Sequence, residues 1–142
     1  MSEDAARETI EARINTWRSA NPTVKVEMEN QRFKEPTGAD AKWVSVKVIE
    51  NEAKRVNLGA PQQFSGCGVI NVQIMVAPDT GTVIPRQIRQ SLFEVLCDRT
   101  FQMPNGGRLT TSRTEKRTRG LVNGWYCMSL MMEYHYYFMV SG

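Results

Sequence analysis

The chain is short of the residue types that mark a chemical centre. It has one histidine, His135, and three cysteines, Cys67, Cys97 and Cys127. One imidazole is too few for a typical zinc site, and no two cysteines have metal-ligand spacing. An odd number of widely spaced cysteines gives no disulfide framework, so buried, reduced thiols are expected. No apolar run approaches the roughly 20 residues that a membrane-spanning helix needs. The opening Met-Ser-Glu-Asp is acidic and has no apolar stretch behind it. No signal peptide is therefore expected, and the protein is expected to be made and to act in a reducing cytoplasm.

Motifs of catalysis and cofactor binding are missing too. Asn105-Gly-Gly-Arg108 lacks phosphate-loop spacing and does not open a helix. Gly66-Cys-Gly68 leads into a strand, where a dinucleotide fingerprint leads from a strand into a helix. His135 has Glu133 on the same strand face, but no nucleophile-elbow motif accompanies them. Cys127 and His135 show no local thiol-enzyme motif. The reading is a non-enzyme without metal or cofactor.

What is present is an ordinary globular composition. The 142 residues are 41% hydrophobic and 23% charged, with a formal net charge of +3. The length suits one domain, residues 1–142, able to bury roughly 70% of its unfolded surface. The charge is too mild to require nucleic acid, whose readers carry a dense basic stripe.

Periodicity supplies the elements. Ala6, Ile10, Ile14 and Trp17 place a helix over 3–19, ended by Asn21-Pro22. Val24–Met28 reads as a short strand and 29–41 as a loop. Trp43–Glu50 alternates cleanly, with Val44, Val46 and Val48 on one face. Residues 51–64 suit a connection, and Cys67–Val76 alternates again. Pro78–Gly81 is a turn, and Thr82 is placed as the N-cap of a second helix running to about Asp98. Ile84, Ile88, Leu92, Val95 and Leu96 form its apolar stripe, while Arg86, Arg89, Gln90 and Glu94 lie opposite. Residues 108–113 and 116–122 read as two short polar strands or one irregular connection. A last strand from Trp125 puts Tyr126, Met128, Leu130, Met132, Tyr134, Tyr136 and Phe138 on one face.

The economical fold is α+β: two helices packed on one face of a mainly antiparallel or mixed sheet of about four to six strands. The opposite sheet face is semi-polar and suits solvent or a second subunit.

The candidate site is the basic run Arg108, Arg113, Lys116, Arg117 and Arg119. Simple alternation puts Arg113, Arg117 and Arg119 on one side of an extended ribbon. The run suits contact with an acidic protein surface or with passing DNA, and its few aromatics argue against a stacking platform. Gln62-Gln-Phe-Ser65 is read as a loop able to order on assembly, with Phe64 as an anchor. The second helix, bearing Arg86 and Arg89, or the sheet edge is expected to supply one interface patch and a loop the other. The alternative reading is a small basic nucleic-acid-binding module using 108–119.

Several pieces in order resemble one family: the helix from Ile10 through Trp17, the Trp43-Val-Ser-Val-Lys-Val strand, Leu58-Gly59, the Gly66–Val76 strand, Ala77-Pro-Asp-Thr-Gly81, and Asn123-Gly-Trp-Tyr126. Together they resemble the tail terminator, or tail completion, proteins of long-tailed bacteriophages and their prophage relatives. The methionine- and tyrosine-rich last strand departs from the usual pattern. The resemblance implies a structural virion-tail protein assembled in the host cytoplasm. It implies a ring, usually a hexamer, that caps the tail tube, ends its polymerisation and gives the filled head its joining surface. Partners so implied are other copies of the chain, the tail tube protein and a head-completion or connector protein. The resemblance also implies transient, non-specific contact with DNA passing in the channel, and no membrane partner.

Overall fold

The computed structural model describes residues 2–29, 31–51, 54–55, 62–104 and 106–140. The elements in chain order are α1 (Ser2–Ala20), β1 (Lys25–Glu27), β2 (Lys42–Glu50), β3 (Lys54–Arg55), β4 (Gln62–Val76), α2 (Val83–Leu96), β5 (Thr100–Gln102), β6 (Arg108–Val122) and β7 (Trp125–Val140). All strands belong to one sheet in the order β1-β2-β4-β7-β6-β5, and the two-residue β3 pairs with β4 off this path. Among the described residues only β1 and β2 run parallel. The α+β expectation holds, and the sheet is mixed.

Both helices cover one sheet face. Ala6, Ile10, Ile14 and Trp17 of α1 are buried, as their spacing requires, and so are Ile88, Leu92 and Leu96 of α2. Beneath them lie Val44, Val46, Ile70, Val72, Ile74, Leu130 and Met132. Each such aliphatic side chain, fully buried, contributes about 1.5–3 kcal/mol. The Trp17 indole N–H donates to Ser91 Oγ at 2.8 Å and joins the helices. Arg7 joins α1 to the sheet, donating to Glu50 Oε1 at 2.6 Å and to the Val48 carbonyl at 3.2 Å. Partial burial works against its charge, but the carboxylates of Glu50 and Glu29 hold its pKa above the ordinary value.

Two sequence expectations change, and a third holds in position alone. Gln62–Ser65, read as a loop, is the start of β4, because β7 is long enough to pair it as far as Val140 opposite Gln62. The Phe64 side chain and residues 56–61 lie outside the described residues. The segment 108–122 is one strand, and β5, unforeseen, pairs with its start from Thr100 opposite Thr110 to Gln102 opposite Arg108. Thr82 stands at the N-cap position but makes no side-chain cap bond; its carbonyl accepts from the Arg86 backbone N–H and guanidinium instead.

β4 and β7 fit each other through small residues under large ones. A Cβ at Gly66 would lie 2.2 Å from the Tyr136 ring. One at Gly68 would lie 2.5 Å from Tyr134 and 2.3 Å from the Ile49 carbonyl oxygen. The rings of Tyr134, Tyr136 and Phe138 stack in a ladder with centroids 6.3 and 6.2 Å apart. Burial pushes the Tyr134 phenol pKa up strongly. It also raises the thiols of Cys97 and Cys127, which are free, as is the half-buried Cys67.

Candidate functional site

The face away from the helices divides in two. At one end Phe33, from the 29–41 loop, packs on Trp43 with centroids 5.0 Å apart, and Trp125 meets Trp43 edge-on at 5.9 Å. The Trp125 indole donates to Glu35 at 2.5 Å, so this end is closed by the chain's own loop. At the other end Lys47, His135 and Tyr137 are exposed, and Glu133 is partly so. This end is open and polar. Glu133 is engaged by Arg113 at 3.4 Å rather than aligned with His135, which leaves no acid–base pair there.

The basic run occupies β6, and two bulges decide where its side chains go. Pairing with β7 slips between Ser112 and Glu115 and again between Thr118 and Gly120. Arg113 is the extra residue of the first bulge, with φ of 52°. Arg119 lies in the second, where Gly120 takes the positive φ, 76°. Across the first bulge Arg113 and Arg117 both stay on the polar face, as simple alternation expects, while Arg119 falls within the second. Arg113 turns toward Glu133, and Arg117, opposite Ser129 on the polar face, pairs with Glu115 at 3.2 Å. Arg108 is also on that face, opposite Tyr137. Lys116 points the other way, toward α2. β5 covers β6 only at its start, so among the described residues nothing pairs with 112–122 on the side away from β7.

Lys116, Arg86 and Arg89 meet across a groove of 340 Å³ between α2 and β6, also lined by Val83, Gln87 and Gln90. Helical spacing brings 83, 86, 87 and 90 to one outer face of α2. Each cation is steadied by a neutral partner. Arg86 Nε donates to the Thr82 carbonyl at 3.2 Å, and Arg89 Nη1 to the Arg117 carbonyl at 3.2 Å. Lys116 Nζ sits 4.3 Å from the Phe93 ring centroid and donates to Gln90 Oε1 at 3.4 Å. Among the described residues no carboxylate pairs with any of the three. The sequence identified these cations separately; only the turn of β6 onto α2 makes them one group.

A signal in the sequence that periodicity did not use is Asn123-Gly124, the two-residue link between β6 and β7. Both residues have positive φ, 51° and 84°. That is the turn whose twist matches a hairpin, and it identifies 108–140 as one long hairpin.

No curated protein matches the chain. A solved structure resembles it over 96% of this chain and 96% of its own, with a TM-score of 0.73 and 18% identity, which establishes a shared fold. A family model described as "Phage tail terminator protein" matches residues 5–134, nearly the whole chain. The α+β fold with its mixed sheet is therefore that of a structural phage tail protein, and the chain belongs to the phage tail terminator family.

Proposed function

We propose that the chain closes into a ring, a hexamer, on the end of the tail tube, stops tube growth, and offers its free side to a head-completion or connector protein. The observation that carries this reading is the inequality of the sheet's two sides. One ends in the three-residue β1 beside β2, and the other in the three-residue β5, which leaves 112–122 of the long, bulged and basic β6 open. Two unlike sides make a head-to-tail contact natural, and a head-to-tail contact that closes makes a ring. The open polar face carries Arg113 and Arg117 already balanced by Glu133 and Glu115. A surface of paired charges suits a channel through which DNA slides without being held.

Electron microscopy of tube subunits assembled with and without the protein tests the reading. Tubes of one length with a ring at one end are the expected result. Tubes that grow indefinitely and carry no added density in its presence would refute it. Native mass spectrometry of the capped ends gives the subunit number, expected to be six.

The nucleic-acid-module reading is weaker than the bare sequence suggests, since two of its five cations are ion-paired and Lys116 faces away from them. Filter binding to duplex DNA should find weak, sequence-blind association that falls steeply with salt.

A further inference from the structure

We infer that the α2–β6 groove docks an extended acidic segment of a neighbouring virion protein. The inference rests on the proposed assembly role and names the chemistry of one of its partners.

Charge complementarity carries the argument. The ion pairs of the described residues lie outside the groove: Arg7 with Glu50 and Glu29, Arg113 with Glu133, Arg117 with Glu115. In the groove three cations converge without a carboxylate, held by carbonyls, an amide and an aromatic ring. Those tethers reduce the side-chain entropy lost on binding and leave further guanidinium N–H groups for carboxylate oxygens. The first turn of α2 has no acidic residue, and its N-cap side chain makes no capping bond. The end of the groove is therefore positive as well. Val83 is 57% exposed and Ile84 41% exposed at that end, which gives an apolar anchor to a peptide but nothing to a phosphate backbone.

A second copy of this chain is the weaker fit. Residues 25–50, which include the opposite side of the sheet, carry five bases (Lys25, Arg32, Lys34, Lys42, Lys47) and five acids (Glu27, Glu29, Glu35, Asp40, Glu50). Of those acids, Glu29 and Glu50 are held by Arg7 and Glu35 by Trp125. Segment 83–122 has eight bases and three acids, so its excess of five needs a partner richer in carboxylate than this chain.

The test uses the whole protein and a labelled twelve-residue peptide alternating Glu and Ser with one central Leu. Its comparators are the same peptide with Gln for Glu, and a duplex DNA of twenty base pairs. At low salt the acidic peptide should bind at least ten-fold more tightly than the Gln peptide. Amide resonances of α2 and Lys116 should be the ones that move. Arg86→Glu with Arg89→Glu should remove that preference without lowering the melting temperature. The equal charge change Lys25→Glu with Lys47→Glu, far from the groove, should retain most of it. Equal binding of the Glu and Gln peptides overturns the inference, as does equal loss in both double variants. DNA that moves the same resonances and binds more tightly than the peptide assigns the groove to nucleic acid and also overturns it. The tube-capping assay is separate: a protein that caps tubes yet ignores the acidic peptide keeps the ring and loses the groove.

Discussion

The central strand β7 has two neighbours of equal length, and they are built on opposite principles. β4 and β6 each span 15 residues. β4 pairs with β7 without a slip from Gln62 opposite Val140 to Val76 opposite Tyr126. It carries glycine where β7 carries tyrosine, so each strand yields space to the other. β6 slips twice and bears almost all of its charge outward. One side of β7 is framework, tolerant of little; the other is a surface where the backbone has been bent to aim side chains. Two bulges on β6 repeat the contrast on a smaller scale, since one uses glycine at positive φ and the other an arginine.

Substitutions can sharpen or break this division. The largest effect is expected on the framework side. Gly68→Val would push a Cβ into the Ile49 carbonyl and the Tyr134 ring, and chemical denaturation should show a loss of about 3 kcal/mol or more. A loss under about 1 kcal/mol would mean that the ring ladder moves freely and is no framework.

Alkaline pH comes next. The Tyr134 phenol is kept protonated by burial in the folded chain, while an exposed tyrosine ionises near pH ~10. Above that pH the unfolded chain releases a proton that the folded chain retains, so stability falls as pH rises. The slope is up to about 1.4 kcal/mol per pH unit for this group. Urea midpoints at pH 9, 10 and 11 should show the fall, and Tyr134→Phe should flatten it.

On the β6 side the effects shrink and change sign. Gly120→Ala places a Cβ at positive φ and should cost about 1 kcal/mol in a thermal melt. Arg113→Gly relieves the same strain and should raise stability by about 0.5 kcal/mol, the rest being offset by the freedom glycine adds to the unfolded chain. If Arg113→Gly destabilises instead, the ion pair with Glu133 outweighs the backbone strain. The first bulge then belongs to the framework after all.

The framework was the legible part of the sequence. The helix stripes and the alternation in β2, β4 and β7 follow from single-face burial, which leaves a period in the chain. The basic side was legible only as composition. A bulge has no signature in hydropathy, so neither slip, between Ser112 and Glu115 or between Thr118 and Gly120, shows in the sequence. The three-residue β5 is too short to show a period, and β6 is polar enough to pass for a loop. Arg86 and Arg89 were identified from their place opposite the apolar stripe, but their meeting with Lys116 is a tertiary event. Asn123-Gly124 could have joined β6 to β7 in advance, had the pair been read as a hairpin turn.

The free side of β6 has a consequence for how the protein survives before it meets a tail. An open strand edge invites stacking of further strands without limit, as in cross-β fibrils, and that growth needs an edge that is straight and flat. Here the edge is kinked at Arg113 and at Gly120, and the Arg117 carbonyl between them is already occupied by Arg89. The edge also carries four bases, Arg113, Lys116, Arg117 and Arg119, to one acid, Glu115. Such an edge resists fibre formation and reserves the molecule for contacts between shaped surfaces.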